Sequence, residues 1–231
     1  MTRPLYGPAT LAGTVQLGEY CVLGYPKESR LRRAATAGVQ EPGAPVRIGD
    51  RSLLFNQIVL YEGVTVGQDC VLEDRVRIGY DSRVGDRTRL AYGAYVCDRV
   101  AIGADCTVAG FVCDAARIGD RSTVMGELVH EYTQPHKGWW AVDEEPPVIE
   151  DDCVVGYGAR IVGGVRIGPC SYVAAGAVVT QDVPPEHVVT GINVRTPAAE
   201  WTGPRLQELI GHWQSLRPPS PGRPLLPVDE R

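Results

Sequence analysis

The sequence is poor in aromatic residues and has no long apolar stretch. Aromatic residues make up 7% of the 231 residues, and two of them are phenylalanine. A core built from large aromatic side chains is therefore excluded, and 27 glycines indicate many tight turns around a thin interior. No apolar run approaches the roughly 20 residues that a membrane-spanning helix needs, and we expect no association with a membrane. The first residues lack a basic start followed by an apolar stretch, so we expect no signal peptide.

Lysine is almost absent as well, and the net charge is negative. Lysine occurs only at Lys27 and Lys137, so the basic residues are nearly all arginine. With 28 acidic against 23 basic residues, the formal charge is −5, which argues against a nucleic-acid-binding protein. The seven cysteines form no CxxC pair. Together with the missing export signal, this predicts reduced thiols in a cytoplasmic protein.

A repeat of six residues runs through the chain. Counting from Ile48, every sixth residue is aliphatic, and this holds for eleven successive positions up to Val108. The phase then slips, resumes at Ile118 and Val124, and is followed by a second run that begins at Ile149. A weaker start lies at Leu17 and Leu23. The eleven residues in unbroken register are Ile48, Leu54, Leu60, Val66, Leu72, Ile78, Val84, Leu90, Val96, Ile102 and Val108.

Two further positions repeat with the aliphatic one. The next residue is often glycine, as at Gly67 and Gly85, and the fourth residue after it is small or β-branched, as at Ser52. An α-helix cannot keep a period of six on one face, and a hairpin strand would not return a glycine every six residues. We therefore predict stacked coils of short parallel strands, in which the aliphatic residue fills the interior and glycine relieves the corner. Four cysteines at the small position are interpreted as core residues without a catalytic role: Cys21, Cys70, Cys106 and Cys153.

Two segments interrupt the repeat and one follows it. Residues 25–45, rich in arginine, and residues 127–147, with two histidines and two tryptophans, are predicted to project from the coil as loops. Residues 1–196 are thus interpreted as one β-helical domain. Residues 197–231 form a C-terminal extension, in which we predict a short amphipathic helix at 204–216 and a proline-rich tail.

The repeat, the second loop and one long stretch resemble the hexapeptide-repeat acyltransferases. The stretch reads PPVIEDDCVVGYGARIVGGVRIGPCSYVAAGAVVTQDVPPEHVVTGINVR and is similar to the last coils of maltose, galactoside and antibiotic O-acetyltransferases. The resemblance implies an all-β left-handed parallel β-helix with a projecting catalytic loop and a short C-terminal α-helix. It also implies acetyl-CoA or another acyl-CoA as co-substrate, no metal, and a homotrimer with active sites at subunit interfaces. The acceptor would be a hydroxyl or amine of a small polar molecule such as a sugar, a nucleotide-sugar or an antibiotic.

The resemblance also implies roles for single residues. His130, in the sequence GELVHEYTQ, matches the catalytic general base. Tyr157 matches the residue whose backbone N–H binds the thioester carbonyl. Ala175, one coil of 18 residues further on, and Thr180 match positions that bind the pantetheine arm. Arg195 matches the arginine of a closing motif, which here reads GINVR.

The chemistry of acyl transfer suits a histidine in this place. The acceptor must lose a proton as it attacks, and an imidazole with a pKa of about 6.5 accepts protons near neutral pH. A backbone N–H held by a rigid coil costs little to orient toward a developing oxyanion. Other candidates around His130 are interpreted as substrate contacts, and His136 competes with His130 for the role of base. These candidates are Glu127, Glu131, His136, Trp139 and Trp140.

Two other functions use the same kind of coil. Carbonic anhydrases of the γ type bind zinc through three histidines, but here only His130 and His136 are close in sequence. His187 would have to be brought in from near the end of the coil. A non-catalytic scaffold is the second alternative, because repeats create wide binding faces, and it predicts no dependence on coenzyme A.

Overall fold

Three parallel sheets enclose a three-sided coil that runs through the chain. The structure is a computed structural model that describes residues 7–38, 42–131 and 144–202. The chain passes from the first sheet to the second, then to the third, and back to the first one coil higher. This is a left-handed parallel β-helix, as predicted.

The strands are short and follow each other in strict rotation. The first sheet contains β1 (Ala9–Leu11), β4 (Val46–Ile48), β7 (Thr65–Val66), β10 (Arg83–Val84), β13 (Ala101–Ile102), β16 (Arg117–Ile118), β19 (Val148–Ile149) and β22 (Arg166–Ile167). The second contains β2 (Gln16–Leu17), β5 (Leu53–Leu54), β8 (Val71–Leu72), β11 (Arg89–Leu90), β14 (Thr107–Val108), β17 (Thr123–Val124), β20 (Val154–Val155), β23 (Tyr172–Val173), β25 (His187–Thr190) and β26 (Val194–Pro197). The third contains β3 (Val22–Tyr25), β6 (Val59–Tyr61), β9 (Arg77–Ile78), β12 (Tyr95–Val96), β15 (Phe111–Val112), β18 (Glu127–Val129), β21 (Arg160–Val162) and β24 (Val178–Val179).

The aliphatic repeat forms the interior. Strands of neighbouring coils pair in parallel, usually 18 residues apart, as Arg47 with Thr65 and Thr65 with Arg83. The last pair, β25 with β26, is antiparallel. All eleven aliphatic residues in unbroken register are buried, with at most 4% of their surface exposed. The prediction that this position fills the core is confirmed.

The slip in the repeat has a structural cause. Tyr95 pairs with Phe111 and Val112 with Leu128, so these two coils contain 16 residues instead of 18. The corner between the second and third sheets loses the two residues. This corner has four residues at 91–94, but only two residues in each of the next two coils, at 109–110 and at 125–126.

The glycine that follows the aliphatic residue answers a lack of space and not a strained backbone. Gly85 has no positive φ, but a Cβ at this position would lie 2.5 Å from the carbonyl carbon of Gly103 and 2.6 Å from the nitrogen of Ala104. The positive φ falls two residues later, on Arg87 (φ 56°). There the N–H donates to the carbonyl of Gln68 at 2.8 Å, which offsets the strain. The predicted relief by glycine is thus one of space between coils.

Small residues inside the corners link one coil to the next. The hydroxyl of Ser52 donates to the carbonyl of Gly67 at 2.8 Å and accepts the N–H of Cys70 at 3.0 Å. These hydrogen bonds satisfy polar groups that no water reaches. The same arrangement recurs at Ser82, Thr88, Ser122 and Ser171.

One corner carries an alternating ladder of charges. We call the corner between the first and second sheets the ladder corner. The three ion pairs along it measure 2.6, 2.7 and 2.8 Å. A hydrogen bond from the Arg87 guanidinium lowers the pKa of Asp105 below its usual value. The ladder consists of Arg51, Asp69, Arg87, Asp105, Arg121 and Asp152.

Residues 25–45 were expected to form a loop, and the structure places the helix α1 (Glu28–Ala37) in them. The run from 28 to 37 contains no glycine or proline, and Glu28 pairs with Arg32 one turn later at 2.5 Å. The helix ends at Gly38 in the left-handed conformation. Arg30 ties the helix to the buried Glu62 of the coil at 3.0 Å.

The C-terminal predictions lie outside the described residues. The structure describes the chain up to residue 202, so the helix at 204–216, the proline-rich tail and the division at residue 196 stay predictions. Within ranges 7–38, 42–131 and 144–202, we find no helix with the length and apolar character needed to span a bilayer.

The crowding at Gly85 predicts a specific loss of stability. Gly85→Ala should lower the free energy of unfolding by about 1–3 kcal/mol, because its methyl group must push two coils apart. Gly13→Ala is the matched control, since a Cβ there meets no atom within 4 Å. Thermal and urea unfolding of both variants measure the effect. Equal stability of the two variants would contradict the explanation.

Candidate active site

The candidate residues fall on two different corners of the coil. We call the corner between the third and first sheets the histidine corner, because His130 follows β18 there. The corner between the second and third sheets is called the tyrosine corner; it carries Tyr20, Tyr92 and Tyr157. Ala175 lies one coil above Tyr157 on the tyrosine corner, and Thr180 lies on the histidine corner.

His130 is partly enclosed and faces a carboxylate. A quarter of its side chain is exposed, and its Nδ1 lies 4.0 Å from Oε2 of Glu144, whose side chain is 11% exposed. No described residue forms a hydrogen bond with the buried Nδ1. A distance of 4.0 Å is longer than a hydrogen bond, but a small rotation would let Nδ1–H donate to this carboxylate. Such a bond would orient the ring and leave Nε2 to act as a base.

Two glycines of the next coil bring Glu144 to His130. Val129 pairs with Val162, so the loop leaves the coil directly beside Gly163 and Gly164. A Cβ at Gly164 would lie 2.8 Å from Cβ of Glu145, where the loop returns. The absence of side chains at these glycines therefore lets the returning loop pass close to the point where it left.

Glu144 is not among the residues predicted for the site. Glu127 and Glu131, predicted as substrate contacts, are the acidic residues closest to His130 in sequence. Glu127 instead pairs with Arg160 at 3.0 Å on the outer face of the third sheet. Glu131 is exposed and lies beside Gly163. Glu144 is separated from His130 by a loop, so only its place in an acidic run could have suggested it.

Side chains cap some backbone N–H groups of the tyrosine corner and leave others uncapped. In three lower coils, a side chain of a neighbouring coil accepts the N–H at the position of Tyr157: Asn56 accepts that of Glu19 at 2.9 Å, Asp74 that of Asn56 at 2.8 Å, and Glu73 that of Tyr92 at 3.0 Å. Above Tyr157 stands Ala175, which has no acceptor in its side chain. The N–H of Tyr157 is therefore left without a cap from the next coil.

Ala175 repeats this arrangement one coil higher. The residue in register above it is Gly191, which likewise has no acceptor in a side chain. Tyr157 and Ala175 are both exposed. Two backbone N–H groups on one corner thus face solvent across a surface of small residues. The corner is also two residues shorter in the two coils below, which cuts it back beside Tyr157.

Thr180 and Arg195 are engaged within the chain. The N–H of Thr180 donates to Oδ1 of Asn193 at 2.8 Å, so this donor is occupied. Arg195, on β26, donates to the carbonyl of Asp182 at 2.7 Å and to Oε1 of Gln181 at 3.1 Å. These contacts hold the last hairpin against the coil. The implied roles of Thr180 and Arg195 toward a pantetheine arm stay predictions.

Three candidates lie outside the described residues, namely His136, Trp139 and Trp140. Their roles as competing base and as substrate contacts stay predictions. In the described ranges, no three His, Cys, Asp or Glu side chains come together in a group that could hold a metal ion. His187 lies on β25 of the second sheet, and its Nδ1 is 2.8 Å from the carbonyl oxygen of Pro185.

The four cysteines at the small position of the repeat belong to the core, as predicted. Cys21, Cys70, Cys106 and Cys153 are buried. Burial raises the pKa of Cys106 and of Cys153 to about 12. Thiols with such pKa values carry almost no thiolate at neutral pH and are poor nucleophiles.

One protomer does not bring the two corners together. Glu127, Leu128 and Val129 pair with Arg160, Ile161 and Val162, so His130 follows one end of this strand pair. Tyr157 precedes the other end by three residues. At about 3.3 Å per residue, the two groups are separated by a distance on the order of 15 Å. The described geometry of a single chain therefore gives two half-sites.

Family comparisons agree with this architecture. The model of the bacterial transferase hexapeptide with six repeats matches residues 146–181, which include Tyr157, Ala175 and Thr180. The model of the hexapeptide repeat of succinyl-transferase matches residues 45–74. Two separate parts of the chain are thus similar to hexapeptide repeats of transferases.

Curated relatives of this hexapeptide-repeat protein are N-acetyltransferases. The chain is 53% identical over 51 residues to the 2,3,4,5-tetrahydropyridine-2,6-dicarboxylate N-acetyltransferase of Brevibacillus brevis, which is 22% of either chain. It is 55% identical over 53 residues to the protein of the same name from Staphylococcus aureus, which is 23% of this chain and 20% of that one. The matched part thus spans about a fifth of the length of these relatives.

Solved structures with similar coils include two acetyltransferases. A serine acetyltransferase from Neisseria gonorrhoeae, in complex with serine, is 25% identical with a TM-score of 0.32, over 53% of this chain and 39% of that chain. A variant of the GDP-perosamine N-acetyltransferase from Caulobacter crescentus, in complex with CoA and GDP-perosamine, is 18% identical with a TM-score of 0.34, over 79% and 94%. TM-scores this low carry no argument about function.

Proposed function

We propose that this hexapeptide-repeat protein transfers an acyl group, most simply acetyl, from acyl-CoA to a hydroxyl or amine of a small polar acceptor. The observation that carries the proposal is the pair of uncapped N–H groups at Tyr157 and Ala175. They lie within the stretch that the transferase repeat model matches. The names of the curated relatives support acetyl as the acyl group and an amine as the acceptor.

His130 is the group best placed to act as general base. Its Nδ1 faces Glu144, so a proton held at Nδ1 leaves Nε2 free to accept one from the acceptor. The carboxylate of Glu144 then stabilises the imidazolium that forms, as a buried carboxylate does in a catalytic triad. His130 returns the proton to the leaving sulfur at the end of the transfer.

The tyrosine corner fits an acyl carrier. Acetyl-CoA would supply the acyl group already activated as a thioester. Its pantetheine arm contains amide groups, which pair with backbone donors of the kind that Ala175 exposes. Ala175 and Gly176 are exposed and small, so an extended chain can approach the backbone closely. The N–H of Tyr157 is then available to the thioester oxygen, where negative charge develops.

The separation of the corners supports a site shared between protomers. His130 of one copy and Tyr157 of another can meet only when the histidine corner of the first lies against the tyrosine corner of the second. Assembly as a homotrimer, expected from the family resemblance, provides such contacts in a closed ring. The acceptor would enter beside the loop that begins at His130.

The proposed activity has a direct test that does not depend on the acceptor. Acetyl-CoA should raise the melting temperature of the purified chain, because ligand binding to the folded state stabilises it. Release of coenzyme A is then screened against amino sugars, nucleotide-sugars and aminoglycoside-like acceptors. A melting temperature that acetyl-CoA does not change would favour the scaffold alternative. Activity lost on chelation and restored by zinc would favour the metal enzyme.

Replacing His130 and its partner should reduce turnover to different degrees. His130→Ala should lower kcat by about 10²–10⁴-fold, because the proton acceptor is lost. Glu144→Gln should lower kcat less, and the KM for acetyl-CoA should stay unchanged, because this residue only orients and stabilises the imidazole. Glu145→Gln is the matched control, since it removes the neighbouring charge. Equal kinetics of the two glutamine variants would contradict the role of Glu144, and near-normal turnover of His130→Ala would transfer the role of base to His136.

The backbone donor at Tyr157 is open to a direct test. Tyr157 is the second residue of a turn that the N–H of Ala159 closes onto the carbonyl of Gly156 at 3.1 Å, with Gly158 at φ 66°. Proline is favoured at the second position of such a turn, so Tyr157→Pro removes the N–H and keeps the turn. Loss of this donor should lower kcat by about 10²–10³-fold. Tyr157→Ala retains the N–H and should lose far less. Similar losses in both variants would assign the effect to the side chain.

A further inference from the structure

Two short corners leave a recess in the tyrosine corner directly below Tyr157. This corner has four residues at 91–94 and again at 156–159, but two residues at 109–110 and at 125–126. A corner that lacks two residues reaches less far out from the coil, by a distance on the order of 3 Å. We call the space in front of these two short corners the notch. Neighbouring strands are about 4.8 Å apart, so the turns above and below the notch are separated by about 14 Å.

The turns below and above the notch each carry an exposed tyrosine. The lower turn carries Tyr92, which is 59% exposed, and the upper turn carries Tyr157, which is 71% exposed. Tyr92 is held in place, because its N–H donates to Oε2 of Glu73 at 3.0 Å and its phenol oxygen accepts a hydrogen bond from Arg75 at 2.7 Å. The lower border of the notch is therefore fixed by contacts within the coils beneath it.

The floor of the notch is apolar. It consists of Ala109, Gly110, Met125 and Gly126. Ala109 and Met125 each follow a buried valine, and because successive side chains of a strand point to opposite faces, both point outward. Both are partly exposed. Their side chains offer no hydrogen-bond donor, and the methionine sulfur is a weak acceptor. A sugar hydroxyl would lose its hydrogen bonds to water on this floor, so the notch favours an apolar occupant.

The proposed function directs the acyl chain of the donor toward the notch. In that function, the thioester oxygen lies at the N–H of Tyr157, and the pantetheine arm comes from Ala175, one coil above. The carbonyl carbon of a thioester is planar, so its oxygen, its sulfur and its acyl chain point in three directions within one plane. With the oxygen toward the coil and the sulfur toward the coil above, the acyl chain points to the coil below, where the notch begins. The acceptor attacks across this plane and leaves the notch free.

We propose that the notch binds the acyl chain of the donor and lets this protein use acyl groups longer than acetyl. This inference rests on the proposed function, because it needs the thioester at Tyr157. An acetyl group reaches only the upper end of the notch. The two short coils span about 10 Å, which holds an extended chain of about six to eight carbons, since bonds of about 1.5 Å advance such a chain by about 1.3 Å each. The fixed turn of Tyr92 then limits the length.

Calorimetric titration of the wild type with acetyl-CoA and with hexanoyl-CoA tests the proposal without an acceptor. Hexanoyl-CoA should bind at least about tenfold more tightly, because each CH₂ group that leaves water for an apolar surface favours binding. Hexanoyl-CoA that binds no more tightly than acetyl-CoA would overturn the proposal and leave the proposed function standing. A chain that binds neither thioester would contradict the proposed function, and the inference with it.

A substitution on the floor assigns the preference to the notch. The two glycines cannot serve, because a Cβ at Gly126 would lie 2.4 Å from the carbonyl oxygen of Ala159 and a Cβ at Gly110 would lie 2.7 Å from that of Gly126. Ala109→Phe instead places a ring on the outer side of the floor. It should weaken the binding of hexanoyl-CoA at least about tenfold and that of acetyl-CoA much less, because the ring fills the part of the notch beyond an acetyl group.

Ala101→Phe is the matched control for this substitution. Ala101 is also partly exposed, but it lies on the first sheet, between Arg83 and Arg117 of the neighbouring coils. This variant should retain the preference for hexanoyl-CoA, and circular dichroism of both variants checks the fold. Equal losses for the two thioesters in Ala109→Phe, or a preference that Ala109→Phe retains, would overturn the proposal. The comparison of the two thioesters in the wild type stands without either variant.

Discussion

The close approach of successive coils is the constraint on which this structure depends. The strands donate N–H groups to the coil above, and the corners come near enough for residues such as Arg87 to donate to the coil below. At Gly85 that distance leaves no room for a methyl group, and at Ser52 it lets one hydroxyl form two hydrogen bonds with the next coil. The six-residue repeat in the sequence results from this geometry. Outer side chains stand in columns for the same reason, so each corner has a character of its own.

The candidate site residues lie where the columns of outer side chains change. Along the ladder corner, arginine and aspartate alternate without interruption and hold the coils together by ion pairs. Along the tyrosine corner, side chains cap the backbone N–H groups of Glu19, Asn56 and Tyr92, and the caps are missing in two successive coils at Tyr157 and Ala175. Two shortened corners precede Tyr157, and the long loop begins at His130 on the next corner. These departures from regularity surround the residues for which we propose a role in acyl transfer.

At the histidine corner, the coil fixes the position of residues in the inserted loop. The loop leaves and returns over Gly163 and Gly164, and this contact brings Glu144 to 4.0 Å from Nδ1 of His130. The rigid coil thereby sets the position of a pair of residues that sequence distance would not suggest. The pair and the uncapped donors lie on different corners of one chain, and the third sheet lies between them.

The sequence by itself determined the interior and the kind of fold, because a period of six can be read from residue types alone. It also identified four cysteines as core residues and predicted a loop around His130. It did not predict α1, since the arginine-rich segment was read as a loop although its ten residues favour a helix. Only the tertiary structure decided that Glu144, and neither Glu127 nor Glu131, faces His130, and that Tyr157 and Ala175 lack caps. Both depend on which residues of different coils stand opposite each other, and that register arises from coil lengths of 16 and 18 residues and from the return of the loop.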